Sequence, residues 1–278
     1  MELWEAIILG IVEGITEFLP VSSTGHLTVV EELLGMDVSD PAVTASTAII
    51  QVGAIAAAIL YFWRDIVRLL TAFTRGVFSA EARQVPDWRL STAVLAGCVP
   101  IMFVGLFASS FIAGPLRSLW VVAGGLILWS GVMVFAERAA TQQRGESDVT
   151  LADGIIIGLA QCIALVPGVS RSGATISVGL LRDLDRVTAT RLSFFLGIPA
   201  LTAAGIYEAL TVTDEITARV GWGATIVGLV VSFIVAYISI AWLLKFVAHH
   251  TLIAFVWYRV GLGILLIAGL VTGVIAAT

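Results

Sequence analysis

Charge is scarce in this sequence. Only 13% of its 278 residues are Asp, Glu, Lys or Arg, where soluble domains carry about 25%. A net charge of −5 leaves no basic footprint and argues against nucleic acid as a partner. Cysteine is equally sparse. Cys98 and Cys162 each stand in an apolar stretch, without the spacing of a metal site or a disulfide framework, so packing is their expected role. The N-terminus lacks a basic region and a small-residue cleavage site. Met1-Glu2-Leu3-Trp4-Glu5 is acidic and reads as mature protein, not as a removable signal peptide.

What the chain has instead is apolar surface. Apolar residues make up 59%, Gly contributes 27 positions, and the mean hydropathy is +1.02. No soluble protein of that composition could cover its surface with polar groups, and Gly is commoner in membrane helices than in soluble ones. The expected fold is an all-α polytopic membrane protein.

A hydrocarbon core about 30 Å thick takes about 20 helical residues to cross. Six segments qualify, approximately Ala42–Phe62, Thr92–Ala113, Leu116–Ala136, Leu192–Val212, Trp222–Val247 and Ile253–Ala276. Two more, approximately Leu3–Leu34 and Ala152–Leu181, are apolar but interrupted by Pro20-Val21-Ser22-Ser23-Thr24-Gly25-His26 and Pro167-Gly168-Val169-Ser170-Arg171-Ser172-Gly173. Each half is too short to span, which predicts two re-entrant helical hairpins. Irregular backbone at that depth persists only when buried in protein or lining a wet cavity.

Basic residues set the orientation, because cytoplasmic loops carry the excess of Lys and Arg. Arg64, Arg68, Arg75, Arg83 and Arg89 lie between the first two spans, and Arg138 and Arg144 follow the third. Arg182, Arg186 and Arg191 follow the second hairpin, and Lys245 ends the fifth span. Six spans, with each hairpin returning to its starting side, put all of these on one face. The opposite face receives Glu31, Glu32, Asp37, Asp40, Asp214 and Glu215, with Arg117 and Arg219. The first hairpin is then expected to enter from outside and the second from the cytoplasm.

The two broken segments resemble each other. Gly10-Ile11-Val12-Glu13 matches Gly158-Leu159-Ala160-Gln161, and Pro20 to Gly25 matches Pro167 to Gly173 with one extra residue. The expected organisation is one membrane domain, 1–278, built as an inverted-topology repeat. Repeat one covers approximately 1–113, repeat two approximately 116–247, and a final span runs 253–276. Inverted repeats whose broken helices meet near the midplane are a common way to build a site.

Arg171 is the most informative residue. It opens a half-helix between Ser170 and Ser172, before Gly173. Helix N-termini present free N–H groups and positive partial charge, and a guanidinium binds phosphate oxygens bidentately. The plainer role is a buried salt bridge to Glu13 or Glu17. His26 lies three residues after Ser23, so the two side chains can share a helical face, and a hydroxyl with a base in reach is the minimum for nucleophilic catalysis. Ser22, Ser23 and Thr24 are also ordinary N-capping residues. Glu13 and Glu17 lie one turn apart on one helical face. Two carboxylates there need compensation by Arg171, by a divalent cation or by a shared proton. Gln161 stands where Glu13 stands in the other copy, and Thr175 sits one turn beyond Arg171.

Glu13-Gly-Ile-Thr-Glu17-Phe-Leu-Pro-Val-Ser-Ser-Thr-Gly-His26 and Pro167-Gly-Val-Ser-Arg171-Ser-Gly-Ala-Thr175 resemble the two signatures of the bacterial undecaprenyl-diphosphatases, the bacitracin-resistance family. Thr190-Arg191-Leu192-Ser193-Phe194 and Trp257-Tyr258-Arg259 are similar to weaker motifs of that family, so the resemblance covers essentially the whole chain. It implies removal of the terminal phosphate from a C55 polyprenyl diphosphate at the outer face of the bacterial cytoplasmic membrane, which recycles the lipid carrier of cell-wall synthesis. It also implies a divalent cation (Mg2+ or Ca2+) and a homodimer. By motif position, Ser23 is nucleophile or positions the nucleophile, His26 is its general acid/base, and Arg171 binds the diphosphate. Glu13 and Glu17 hold the cation or tune His26. Ser22, Thr24, Gly25, Gln161, Ser170, Ser172, Gly173 and Thr175 complete the expected substrate site. Attack through a phosphoserine or directly by water stays open.

Two rivals remain to be weighed. The other membrane family of lipid-phosphate phosphatases places a second His six residues after its Arg, where this chain has Ser177, and it carries an upstream Lys…Arg-Pro element missing here. A transporter or flippase for polyprenyl phosphate lipids would share the inverted repeat and would also want Arg171.

Overall fold

A computed structural model describes residues 1–38, 40–113, 118–211 and 222–275. Arg117, Asp214, Glu215 and Arg219, and the ends of three expected spans, lie outside the described residues. Eleven α-helices run in chain order among the described residues: α1 (Leu3–Thr16), α2 (Ser23–Leu33), α3 (Pro41–Tyr61), α4 (Trp63–Phe78), α5 (Pro86–Ala113), α6 (Leu119–Ala139), α7 (Leu151–Ile163), α8 (Arg171–Leu181), α9 (Arg186–Thr211), α10 (Trp222–Val247) and α11 (Ile253–Thr272).

Six of these, α3, α5, α6, α9, α10 and α11, are long and apolar enough to cross a membrane. α5 and α9 begin about six residues earlier than hydropathy alone places them, because their first turns are polar. α5 opens on Pro86, whose fixed φ suits a first helical position. Ahead of α9, Asp185 accepts hydrogen bonds from the Thr188 backbone N–H and hydroxyl, each at 2.8 Å. Caps of this kind extend a helix beyond its apolar run.

The expected interruptions are present. α1 and α2, and α7 and α8, are short helices joined by the Pro–Ser–Gly turns. At about 1.5 Å per residue none of the four reaches across a hydrocarbon core. α4 was not expected: the Arg-rich stretch after the first span reads as loop by hydropathy, yet it forms an amphipathic helix. Phe73 stacks on Trp88 at 5.5 Å, and Gly76 lets the Trp88 ring lie against the helix backbone. Trp63, Val67, Leu70 and Phe78 are left exposed at helical spacing.

The packing exchanges partners between the two halves of the chain. α1 lies along α10 and α7 along α5, and α3 packs on α10 as α9 packs on α5. α6 and α11 pair with each other. Small residues permit the closest crossings: a side chain at Gly10 would meet the Gly228 carbonyl, and one at Gly158 the Gly97 carbonyl.

Ion pairs gather the Arg-rich segments at one end of the bundle. Arg68 binds Glu146 at 2.6 Å and Arg191 binds both Glu146 and Asp65 at 2.8 Å, tying α4, the loop before α7 and the start of α9 together. Arg144 and Arg182 share Asp153 at 2.5 and 2.8 Å. Arg186 pairs with Glu137, whose other oxygen accepts the Leu252 N–H at 3.1 Å. Exposed His249 and His250 close α10 beside Leu252. These five Arg residues thus share a small set of carboxylates contributed by segments distant in the chain.

Candidate active site

The tips of the two broken helices meet. The Gly168 N–H donates to Ser22 Oγ at 3.2 Å, and the Ser172 hydroxyl donates to the Leu19 carbonyl at 3.0 Å. α2 and α8 therefore start within one polar chamber. Ser22 and Ser170 are their N-caps, with φ of 78° and 73°, a region that non-glycine residues enter at a cost of about 1–3 kcal/mol. Ser170 Oγ accepts from the Gly173 N–H at 3.1 Å and so caps its own helix. Ser22 makes no such cap, because its hydroxyl is committed to Gly168. The first turn of α2 is left open to an anion.

Glu17 sits at the centre. One oxygen accepts the Ser23 hydroxyl at 2.7 Å and Gln51 Nε2 at 3.2 Å, and the other accepts Arg171 Nη2 at 3.2 Å. Arg171 also donates from Nη1 to the Ser193 carbonyl at 3.3 Å. Thr175 donates to the Arg171 carbonyl at 2.8 Å, and its oxygen lies 2.6 Å from the Ser193 hydroxyl, which is free to donate to it, so α8 and α9 are held together beside the guanidinium. Gly197, one turn further along α9, leaves the space that the Arg171 guanidinium fills. The Glu17–Arg171 salt bridge is thus present: Arg171 keeps 14% of its side chain exposed and Glu17 4%, while Ser23 is half-buried and Thr24 exposed.

His26 lies in the same helix as Ser23, but the two are not hydrogen-bonded. At the first turn of α2 the imidazole folds back, so Nδ1 faces the Ser22 carbonyl at 2.7 Å and Nε2 faces the Tyr258 hydroxyl at 2.6 Å. A carbonyl only accepts, so Nδ1 carries a proton, and in the neutral ring Nε2 is then the acceptor of the Tyr258 hydroxyl. The basic group beside Ser23 is Glu17, where spacing alone pointed to His26. Gly25 packs on Val122 of α6, with no room for a side chain.

Glu13 and Gln161, matched in the sequence, are both fully enclosed, and none of their side-chain oxygen and nitrogen atoms has a hydrogen-bond partner. Ser170 and Ser172 lie 3.2 Å apart through their hydroxyls. A surface hollow of about 480 Å³ lined by Thr74, Arg75, Phe78, Ser79 and Ala82 is at the end of α4 and holds none of these groups.

Sequence reasoning gave no role to several members of this chamber. Gln51 and Ser193 come from α3 and α9, and Tyr258 and Arg259 from α11. The visible signals were the two weaker motifs, Thr190 to Phe194 for Ser193 and the Trp-Tyr-Arg run for Tyr258 and Arg259; Gln51 had none.

The sequence matches the family model of the bacitracin resistance protein BacA over residues 6–265. The chain belongs to the BacA family. Among its curated relatives in that family is undecaprenyl-diphosphatase 3 of Frankia casuarinae, 56% identical over the full length of both chains. Undecaprenyl-diphosphatase of Cutibacterium acnes is 54% identical, again with both chains fully covered. Undecaprenyl-diphosphatase 1 of Streptomyces coelicolor is 54% identical over 99% of this chain and 98% of its own. The six apolar helices make this BacA-family member a multi-pass membrane protein.

Proposed function

We propose that the chain hydrolyses undecaprenyl diphosphate to undecaprenyl phosphate and orthophosphate, returning the lipid carrier to cell-wall synthesis and thereby opposing bacitracin. The single observation that carries the chemistry is Ser23 Oγ donating to Glu17 Oε2 at 2.7 Å while Arg171 holds the other Glu17 oxygen. A hydroxyl, a carboxylate that can take its proton and a guanidinium that can grip a phosphate are assembled at two helix N-termini. The family relatives carry the same activity in their names.

In this reading Arg171 turns from Glu17 to the diphosphate, with the open first turn of α2 as a second donor set. Glu17 accepts the proton of Ser23, whose oxygen attacks the terminal phosphorus to give a phosphoserine that water then hydrolyses to orthophosphate; in the direct route Ser23 orients a water that attacks the same phosphorus and gives its proton to Glu17. The bond to the bridging oxygen breaks, and the lipid phosphate leaves with its electron pair. His26 serves as the general acid/base for the phosphate oxygens. Ser22, Thr24, Gly25, Ser170, Ser172, Gly173, Thr175 and Gln161 shape and line the phosphate subsite.

A divalent cation fits this donor set. Glu13 and Glu17 are hard oxygen ligands, and the buried Glu13 oxygens make no close hydrogen bond, Gln51 facing them outside close hydrogen-bond geometry. No group of three or more His, Cys, Asp or Glu is clustered for a metal among the described residues, so further ligands would come from the diphosphate or water. When bound, the cation would supply charge neutralisation of the diphosphate.

The same proposal includes the membrane arrangement. The hairpins enter from opposite faces, with the Arg-rich end in the cytoplasm and the chamber opening outward, and two copies pair as a homodimer. The exchanged packing of α1 on α10 and α7 on α5 supports an inverted repeat, with repeat one at approximately 1–113, repeat two at approximately 116–247 and a final span at 253–276.

The test is orthophosphate release from C55 diphosphate by the purified protein, with and without chelator. Release by the wild type is expected, with losses of at least about 100-fold in Ser23→Ala, Glu17→Gln and Arg171→Ala. A protein that carries the lipid between leaflets of vesicles but frees no phosphate would be a flippase, and the reading would fall.

A further inference from the structure

Two adjacent residues of α11 have no role in the chemistry above, and both touch it. Arg259 is completely buried, an expensive placement for a charge in a membrane helix. Its guanidinium is spent on main-chain oxygens from both hairpins. Nη1 donates to the Pro20 carbonyl at 3.0 Å; Nη2 donates to the Gly168 and Val169 carbonyls at 2.9 and 3.1 Å. Nε reaches the Ser130 hydroxyl on α6 at 3.2 Å. Among the described residues no acidic partner is in contact with it, so the cited contacts are not a salt bridge. It is a clamp that reads the backbone of the two turns and sets their separation.

Tyr258 is the neighbour of that clamp. Its ring lies parallel to His26, centroids 5.5 Å apart at 9°, and its hydroxyl is 2.6 Å from Nε2. Tyr258 is 50% exposed and His26 only 9%, so the imidazole is the more enclosed of the two rings. Nδ1 is already fixed by the Ser22 carbonyl. The imidazole is therefore held at both nitrogens, by its own helix and by α11.

We infer that Tyr258 and Arg259 are positioning residues of the phosphatase site: Arg259 pins α11 to both hairpin tips, and through that register Tyr258 orients His26 and its Nε2 lone pair. The inference rests on the phosphatase reading for its kinetic consequence, but the contact itself can be read without turnover. A purely structural pair would hold the fold and leave His26 indifferent to the tyrosine hydroxyl. A positioning pair acts on the reaction only through the imidazole.

The experiment is a double-mutant cycle in the full-length protein, with C55 diphosphate as substrate. Tyr258→Phe keeps the stacked ring and removes only the hydroxyl. It is expected to lower kcat about tenfold with KM nearly unchanged, and to change it less than about twofold when His26 is already Ala. An equal loss in both backgrounds, or none in either, overturns the inference. In parallel, 15N-histidine spectra of the whole protein read the contact directly, since the chain has only three histidines. Tyr258→Phe and Arg259→Lys should each move the same histidine signal, the one absent in His26→Ala. A His26 signal that ignores both substitutions overturns the inference whatever the kinetics. If the wild type releases no phosphate while the signals still move, the phosphatase reading has failed and the contact has not.

Discussion

Ser22 and Ser170 adopt the same uncommon backbone, φ 78° and 73°, at matching places in two turns that meet in the middle of the protein. Neither is glycine, and each hydroxyl has a defined task. Ser22 Oγ accepts from the opposite turn, and Ser170 Oγ caps its own helix. The repeat is thus conserved in backbone shape and divergent in hydrogen bonding. One copy lends its hydroxyl to the other and keeps its own helix start free.

This predicts an inverted order of substitution effects at Ser22. Glycine relieves the positive φ while losing the hydroxyl; alanine loses the hydroxyl and keeps the strain. Ser22→Ala should be less stable than Ser22→Gly by about 1 kcal/mol, measured as unfolding in detergent. Alanine proving the more stable of the two would show that the turn relaxes when its hydroxyl is gone.

At Gly197 the cost should be kinetic. A methyl group there meets the Arg171 guanidinium, the far end of a flexible side chain, which must swing off Ser193 and Glu17 to make way. Gly197→Ala should raise KM for the diphosphate about tenfold or more while the unfolding midpoint moves little. Unchanged KM would mean that Arg171 does not bind the substrate from this position.

Arg171→Lys should behave nearly as poorly as Arg171→Ala. A lysine ammonium is a point charge and cannot keep the Ser193 carbonyl while passing from Glu17 to two phosphate oxygens, as the planar fork of arginine can. Turnover in the lysine variant is expected to stay at least about 30-fold below wild type. Recovery to within a few-fold would show that charge alone suffices.

The ion network at the Arg-rich end gives a pH signature. Burial alone would raise the Glu146 pKa, but hydrogen bonds and charge from Arg68 and Arg191 outweigh it and hold the carboxyl below its usual value. A depressed carboxylate stabilises the fold above its unfolded pKa, about 4.3, and loses that contribution as pH falls through the lower folded value. Glu146→Gln should therefore lower the unfolding midpoint at pH 7 and narrow its gap to wild type below about pH 4. The effect at pH 7 is modest, about 1 kcal/mol, since these pairs are partly exposed. A gap that persists undiminished in acid would assign the loss to packing.

Hydropathy and loop charge made the six spans and the two breaks legible, because the free energy of placing a residue in lipid is a local property of its side chain. The Pro-Gly-Ser turns with an embedded Arg marked the site for the same reason: a charge and irregular backbone are costly at that depth wherever the rest of the chain lies. α4 escaped because an amphipathic helix averages to no hydropathy signal. The polar first turns of α5 and α9 escaped because caps lie outside apolar runs.

What the sequence alone determined, then, was which residues cannot face lipid. Which of them face each other was decided by the tertiary structure. Ser23 and His26 are three residues apart, and spacing paired them; packing instead gave Ser23 to Glu17 and His26 to Tyr258, 232 positions away. Arg259 clasps turns near residues 20 and 168, and no pattern of period 3.6 or 2 can encode such a contact. Directional hydrogen bonds are settled only when the helices carrying them have docked, and docking depends on shape along whole helix faces.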